Sequence, residues 1–232
     1  MVLNAPDGTE VGTTFSPLGD ARSRSDLIVE SIRAAILGGK LAAGELLVER
    51  RLADELQVSK TPVREALIVL ARSGLVEVAR NRGSAVRLLT LPEVRQIYEM
   101  RALLEPWAVA SAIGNPAADF AQAERALDEA AGFERVGDVG NHALANRRFH
   151  RAMYQDCENE FIVDALDGLQ DLTALATVSV LWENWPTWRD ESTEHRAILE
   201  AARAGEPQEA SNLVRAHIER TVERIRERSA LR

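Results

Sequence analysis

Residues 49–67 read ERRLADELQVSKTPVREAL and contain the strongest local pattern of the chain. The pattern predicts a short helix over 49–56, a tight turn, and a longer helix over 60–73. Ser59 stands where its side chain can cap the longer helix by accepting backbone N–H bonds. Pro62 falls in the first turn of that helix, where a missing N–H costs little. The segment therefore predicts a helix-turn-helix.

The longer helix has an apolar face and a polar N-terminal end. The apolar face, which is expected to pack on the shorter helix, consists of Val63, Leu67 and Leu70. The polar end, which is left exposed, carries Lys60, Thr61 and Arg64. In a helix-turn-helix this end of the second helix meets base edges and phosphates, and the helix N-terminus itself favours phosphate. The segment therefore predicts a DNA-reading helix. The alternative is an ordinary solvated surface of helix arginines.

The flanking residues complete a winged helix-turn-helix. Apolar residues at helical spacing predict a helix over 25–36, which a glycine pair ends. Further on, the apolar period changes to about two, which predicts strands over 75–79 and 84–88. The basic, glycine-containing link 80–83 joins them as a hairpin. Three helices and a two-stranded wing are therefore expected over 22–89.

The rest of the chain is predicted to be an antiparallel all-α bundle over 90–232. Glycine, asparagine and proline residues divide it into helices at about 92–113, 117–135, 138–157, 160–182, 188–204 and 207–228. Six helices with short links imply antiparallel neighbours. Residues 1–21 show no apolar period and are expected to form a disordered tail. The predicted fold class is mainly α.

The charge distribution supports two modules of different function. The net charge is −8, but residues 22–89 hold twelve Arg or Lys against eight Asp or Glu. Residues 90–232 hold 16 bases and 25 acids. A basic module joined to an acidic one is typical of a DNA reader with a separate sensor.

The cysteine content and the lack of a recognisable membrane or secretion signal lead us to expect a cytoplasmic protein. The sequence contains no run of about 18 apolar residues, so no membrane span is expected. No basic region followed by an apolar stretch opens the chain, so no secretion signal is expected. The single cysteine, Cys157, excludes an intramolecular disulfide and fits a reducing compartment.

The N-terminal module resembles the GntR superfamily of bacterial regulators over about residues 25–88. The resemblance lies in the 49–67 segment and continues through Leu70, Gly74-Leu75-Val76 and the Arg82-Gly83 wing. It implies DNA contacts from Arg50, Ser59, Lys60, Thr61, Arg64, Arg82 and Gly83. Lys60 replaces the arginine common in the family. Because lysine lacks arginine's rigid bidentate fork for guanine, weaker base specificity is expected there.

All four histidines lie in the helical module. Asn146 and His150 are four residues apart and share a largely apolar helix face. His195 and His217 stand ten residues before and after the Gly205–Pro207 turn, so an antiparallel pair of helices brings them to one level. These side chains could converge on one point and hold a metal between facing helices. The alternative is a set of hydrogen-bonded core histidines.

The helical module resembles the FCD ligand-binding domain of the FadR branch of GntR regulators. The similar segments are 101–105, 146–150, 194–198 and 217–218. Many members bind a divalent metal through an acidic or amide residue and three histidines, which implies the ligands Asn146, His150, His195 and His217. Three imidazoles suit Zn²⁺ or Ni²⁺ better than Mg²⁺ or Ca²⁺. Asn146 replaces the commoner aspartate, which should weaken metal affinity but leave the ion's full charge to attract a small carboxylate effector.

Two further polar side chains of the helical module carry expectations. Arg101 shares a face with apolar residues, so its head is expected to point inward. It is either a clamp for the effector's carboxylate or the i,i+4 partner of Glu105. His142 is expected near the surface at a helix start. No acidic residue stands out as a general base.

The expected function is a ligand-responsive transcription regulator that senses a small organic acid. A homodimer on a palindromic double-stranded DNA operator is expected, because one recognition helix and one wing cover only a half-site. The resemblance implies repression that the ligand relieves. Two alternatives remain: a metalloenzyme with a three-histidine site, and a DNA-binding protein whose helical module only dimerises.

Overall fold

The computed structural model describes residues 24–79, 83–182 and 188–230. The expected tail over 1–21, the expected DNA contact Arg82 and the expected helix break at Trp185-Pro186 lie outside the described residues.

A winged helix-turn-helix is followed by a helical bundle, as the sequence predicts. The first module contains α1 (Arg24–Leu37), β1 (Leu46–Leu47), α2 (Glu49–Leu56), α3 (Lys60–Arg72), β2 (Val76–Ala79) and β3 (Gly83–Val86). The second contains α4 (Leu91–Gly114), α5 (Ala121–Val136), α6 (Val139–Tyr154), α7 (Glu160–Ala176), α8 (Trp188–Arg203) and α9 (Pro207–Ala230). A π-helical segment over Thr177–Leu181 continues α7.

The apolar face of α3 forms the centre of the first module. Its residues Val63, Ala66, Leu67 and Leu70 are all buried, as is Leu52 of α2. The turn between α2 and α3 passes through Gln57, whose φ of 52° is left-handed. Ser59 occupies the N-cap position of α3, but its side chain makes no capping hydrogen bond, contrary to the prediction. The apolar contacts of α3 therefore hold this helix without help from a side-chain cap.

The wing contains one strand more than the sequence predicts. The sheet order is β1-β3-β2, with all pairs antiparallel, and Val76 pairs with Val86 as a hairpin requires. Leu46 and Leu47 pair with Ala85 and Ser84 on the other side of β3. A strand of two residues has no detectable alternation, so periodicity could not reveal it.

The bundle places α4 at its centre. Helix α9 packs along α4 and α8, α5 packs on α6, and α7 lies between α4 and α6. Three helix bounds differ from the prediction by three residues or more: α5 begins at Ala121 rather than near 117, α6 ends at Tyr154 rather than near 157, and the α-helical part of α7 ends at Ala176 rather than near 182. Within the described ranges no helix is long and apolar enough to cross a bilayer.

A capping box fixes the junction between the two modules. Thr90 is the N-cap of α4; its hydroxyl accepts from the Glu93 backbone N–H, and the Glu93 carboxylate accepts from the Thr90 backbone N–H at 2.8 Å. Arg87, just after the wing, donates to the same carboxylate at 2.7 Å. The Thr90 backbone bond and the Arg87 bond together lower the pKa of Glu93 to about 2. The carboxylate thus ties the wing to the first turn of α4.

Glu93→Gln is expected to lower the free energy of unfolding by about 1 kcal/mol at neutral pH, the usual value of a cap. The folded pKa is about 2, below the ordinary value of 4.5. The contribution is therefore present above the ordinary pKa and lost as pH falls towards the folded one. Urea unfolding across this range measures the difference, with the exposed Glu158→Gln as control. A difference that grows on acidification would contradict the assignment.

The two modules touch through glycine backbones. A Cβ built at Gly140, near the start of α6, would lie 2.9 Å from the carbonyl carbon of Gly38, just after α1. Real Cβ atoms essentially never approach a backbone carbon this closely. Glycine at position 140 therefore permits the close approach of α6 to the end of α1.

Gly140→Ala is expected to destabilise the protein by about 1–3 kcal/mol, because the new methyl group overpacks the contact with α1. Gly168, inside α7, supplies the matched control because a Cβ there meets nothing within 4 Å. Gly168→Ala should instead stabilise the protein by about 0.5–1 kcal/mol through helix propensity. Thermal and urea unfolding measure both variants. Equal effects of the two substitutions would refute the close contact.

Candidate functional site

The residues expected to read DNA lie together on one exposed surface. Lys60, Thr61 and Arg64 are exposed at the N-terminal end of α3, as predicted. Arg50 on α2 and Gly83 at the start of β3 are exposed as well, and both line the cleft between α2, α3 and the wing. Lys60 and Arg64 line the same cleft. The fold therefore brings these residues to one surface, beside the exposed Ser59.

Arg64 is held by an acidic partner, Glu49, that the sequence pattern does not predict. Its Nε and Nη2 atoms donate to the two carboxylate oxygens of Glu49, each at 2.9 Å. This bidentate bond raises the pKa of Arg64 and lowers that of Glu49. The guanidinium is thereby oriented, since a fork-to-fork pair fixes its plane. No helical or strand period relates residues fifteen apart on separate helices, so the sequence carried no signal for this pair.

Three histidines converge inside the bundle. His150 on α6, His195 on α8 and His217 on α9 are all buried, and one ligand nitrogen of each lies within 4.8 Å of the others. The Nε2 atoms of His195 and His217 are 3.3 Å apart. The Nε2 atom of His150 is buried and has no hydrogen-bond partner among the described residues. These three residues form the histidine cluster. The spacing about the α8–α9 turn predicted that His195 and His217 lie at one level, and His150 joins them from α6.

Carboxylates hold the opposite ring nitrogen of two of the histidines. His150 Nδ1 lies 2.6 Å from Glu105 Oε1, and His217 Nδ1 lies 2.7 Å from Glu194 Oε2. Arg220 in turn pairs with Glu194. A carboxylate accepts, so each Nδ1 carries the proton and each Nε2 keeps its lone pair. The cluster therefore presents Nε2 lone pairs from His150 and His217.

Burial keeps the imidazoles neutral. It lowers the pKa of His150 and of His217 to about 4 in each case, despite the nearby carboxylates. Burial, together with the other histidines, also places the pKa of His195 well below its ordinary value. Metal ligation requires deprotonated imidazole nitrogen. The cluster is thus in the ligand-competent state at neutral pH.

Glu105 is the centre of a buried polar network. Arg101 donates to it through Nε at 2.9 Å and Nη2 at 3.3 Å, and Gln170 Nε2 donates at 3.0 Å. Burial works to raise the pKa of Glu105, but Arg101 and His150 outweigh it and hold the pKa below its ordinary range. Of the two roles expected for Arg101, the pairing with Glu105 is therefore present. The inward direction predicted for its head is confirmed, since Arg101 is 1% exposed.

The acidic and amide partners of the histidines were not predicted from the sequence. No acidic residue stood out as a general base, yet Glu105 and Glu194 lie directly on the cluster. Both belong to segments that carried the FCD resemblance, and Glu194 adjoins His195 in the chain. Gln170, on α7, lay in no such segment. Position in a motif was therefore an available signal for two of the three.

Asn146 and His142 lie on the same helix as His150. Asn146 is half-buried on α6, one turn before His150, and its place as a metal ligand stays a prediction. His142 was expected at the surface, which is wrong: it is 6% exposed and its ring centroid lies 4.7 Å from that of Trp182. Trp182 directly follows the π-helical segment that continues α7, and no local sequence pattern predicted that segment.

The donor set fits a divalent transition metal. Three neutral imidazoles from three helices supply nitrogen ligands, and an orphaned buried Nε2 is the atom that an ion would satisfy. Glu105 and Glu194 provide the carboxylate–histidine bonds that usually orient metal-bound imidazoles. The residues present therefore agree with the chemistry that the sequence implied.

Comparison with known proteins places both modules in one family. The model of the FCD domain matches residues 96–220, and the model of the bacterial regulatory proteins of the gntR family matches residues 24–86. The chain belongs to the GntR family. Its FCD domain places it in the FadR branch, as the resemblance indicated. This GntR protein therefore pairs a DNA-binding head with a ligand-binding helical domain.

Relatives agree in length and fold. The uncharacterised regulator BphR of Paraburkholderia xenovorans is 28% identical over 223 residues, covering 93% of this chain and 91% of BphR. The Glc operon transcriptional activator of Escherichia coli K12 is 30% identical over 229 residues, covering 88% and 89%. A GntR-type regulator structure from Rhodococcus sp. RHA1 superposes with a TM-score of 0.76 at 26% identity, covering 88% and 98%. The protein is thus a DNA-binding transcription regulator rather than an enzyme.

Proposed function

We propose that this GntR regulator binds a palindromic operator as a homodimer and releases it when a small organic acid reaches a metal held by the histidine cluster. One observation carries the proposal. Three buried, neutral histidines present converging nitrogens in the domain joined to an exposed basic recognition helix. We place the boundary between the two domains between residues 89 and 90.

DNA contacts are assigned to the exposed surface of the head. Arg50, Lys60 and Arg64 supply the positive charge, and the helix N-terminus at Ser59 and Thr61 adds backbone N–H groups. Gly83 has a left-handed φ of 80° and open space around it. Because glycine has no side chain, the wing backbone can approach the duplex at this point. Arg82 belongs to the same wing in the sequence. Arg64, oriented by Glu49, is the proposed base reader.

A homodimer is supported by an apolar stripe on α4. Met100, Leu103 and Trp107 recur at helical spacing and are 51%, 72% and 47% exposed, respectively. Large apolar side chains in a row on the exposed face of a helix favour burial against a partner. A second copy covering this stripe would join two heads, as a two-fold symmetric operator requires.

Arg64→Ala is expected to weaken operator binding by about 1–3 kcal/mol and to relax base preference at one position per half-site. Arg72→Ala, at the opposite end of α3, is the matched control and should leave affinity within a factor of two. An operator selected from random duplexes, then titrated and footprinted at fixed salt, supplies the measurement. Unchanged binding by Arg64→Ala would exclude it as a reader, and a single-half-site footprint would exclude the dimer.

We propose that the bound metal is Zn²⁺ or Ni²⁺ and that Asn146 is its fourth protein ligand. The nitrogen-rich donor set supports these ions over Mg²⁺ or Ca²⁺. A bound ion would polarise an oxygen ligand, and the protein groups would orient the imidazoles through Glu105 and Glu194. With no carboxylate among the four proposed ligands, the site would keep the ion's positive charge for an anionic effector.

His195→Ala is expected to lower Zn²⁺ affinity by more than about 100-fold, beyond the range usual for outer partners of a metal site. His142→Ala is the matched control, since His142 is also buried in this domain but lies outside the histidine cluster. Elemental analysis of protein purified without chelator and competitive Zn²⁺ titration measure both. Equal losses in the two variants, or no metal in the wild-type protein, would reject the site.

The effector proposal assigns its carboxylate to the metal and to Arg101. Glu105 occupies Nε and Nη2 of Arg101. We assign the remaining terminal nitrogen, Nη1, to the effector. A relative named 'Probable D-xylose utilization operon transcriptional repressor', from Paenarthrobacter nicotinovorans, is 30% identical over 185 residues, whereas the Glc operon relative is an activator. We assign repression to this chain, with the acid as inducer.

Small hydroxy acids and dicarboxylic acids are expected to raise the melting temperature of the Zn²⁺-loaded protein, since a ligand stabilises the state it binds. Their carboxamides, which lack the charge, should not. Arg101→Lys should reduce the shift, because lysine cannot reproduce the fork. A melting screen followed by operator titration tests this. Equal shifts from acid and amide would contradict carboxylate recognition, and tighter operator binding with acid would contradict induction.

A further inference from the structure

A buried carboxylate joins the two domains. Asp171 on α7 is 4% exposed, and each of its oxygens meets a different arginine. Oδ1 accepts from Arg147 Nε of α6 at 2.6 Å, and Oδ2 lies 3.2 Å from Arg33 Nε of α1. Arg147 belongs to the FCD domain and Arg33 to the DNA-binding head. We call these three residues the Asp171 triad.

The neighbouring residue on α7 belongs to the histidine site. Gln170, 1% exposed, donates to Glu105, which holds His150. Adjacent helix residues point about 100° apart, so one turn of α7 can face two different partners. The same stretch of helix therefore contacts the site with one side chain and the head with the next.

Other contacts near Asp171 also join the FCD domain to the DNA-binding head. Arg147 precedes His150 by less than one turn of α6, so the triad touches two helices of the site. A Cβ built at Gly74, just after α3, would lie 3.6 Å from Leu172 Cδ2 of α7. Helix α1, which carries Arg33, packs chiefly on the recognition helix α3.

We propose that Gln170 and Asp171 couple the histidine cluster to the DNA-binding head; the proposal rests on the function proposed above. A ligand that draws His150 and Glu105 into a new position moves α7 through Gln170. Because Asp171 is buried between two guanidinium groups, a displacement of α7 must either carry Arg33 and α1 along or leave a buried charge poorly paired. Through the Asp171 triad, a movement at the histidine cluster thus changes how α1 packs against α3.

Amide hydrogen exchange over α1, with and without Zn²⁺, tests the coupling. In the wild-type full-length protein Zn²⁺ should slow exchange over 24–37 by about fivefold or more, the lower end of usual couplings between sites. Arg33→Gln removes the interdomain arm but leaves Asp171 paired with Arg147. In this variant the Zn²⁺ response of α1 should fall to less than twofold, while Zn²⁺ affinity stays unchanged.

Arg151→Gln is the matched control. Arg151 pairs with Asp167 of α7 at 3.1 Å, one turn before Asp171, but both residues lie in the FCD domain. Its Zn²⁺ response should equal that of the wild-type protein. A full response in Arg33→Gln, or wild-type protein that binds Zn²⁺ with no response in α1, would overturn the coupling and leave the metal assignment standing.

A second variant tests the coupling in the case that the protein binds no Zn²⁺. If Zn²⁺ does not bind, the coupling is judged in metal-free protein from Gln170→Met, which removes the bond to Glu105 but leaves Asp171 in place. This variant should then speed exchange over α1 by about fivefold. Unchanged exchange over α1, in a variant whose α9 exchange equals that of the wild-type protein, would overturn the coupling by itself.

Discussion

The ionised carboxylate of Glu105 is the constraint on which the rest of the bundle depends. A fully buried charge is tolerated only when opposite charge and hydrogen bonds replace the lost water. Arg101 supplies the charge, while His150 and Gln170 supply two more bonds. These partners stand on α4, α6 and α7, so their side chains must meet at one point. The network therefore requires α4, α6 and α7 to pack where these side chains can reach one another.

The same network determines what the histidine cluster can do. By accepting from His150 Nδ1, Glu105 leaves the Nε2 lone pair pointing away, and Glu194 acts in the same manner on His217. Burial removes the competing proton by lowering the pKa of each ring. A site with neutral, oriented nitrogens is thus prepared by the fold itself. The Asp171 triad repeats the principle at the domain boundary, where one buried carboxylate pairs with an arginine from each domain.

Sequence reasoning succeeded where one periodicity or one turn governs the outcome. The inward face of α3 follows from helical spacing, and the meeting of His195 with His217 follows from equal distances to a single turn. It failed where two distant segments meet. Glu49 and Arg64, or Gln170 and Glu105, share no period, and β1 is too short to show one. His142 was misplaced because the π-helical segment that brings Trp182 over it depends on packing.

The sequence by itself therefore determined the order of the helices, the exposed polar end of α3, and the meeting of His195 with His217, because each depends on local propensity or on counting along one helix pair. Only the tertiary structure decided which carboxylate holds which imidazole and which arginine carries the contact between domains. Such choices depend on relative positions of separate helices, and a difference of a few ångströms decides whether a buried charge is paired.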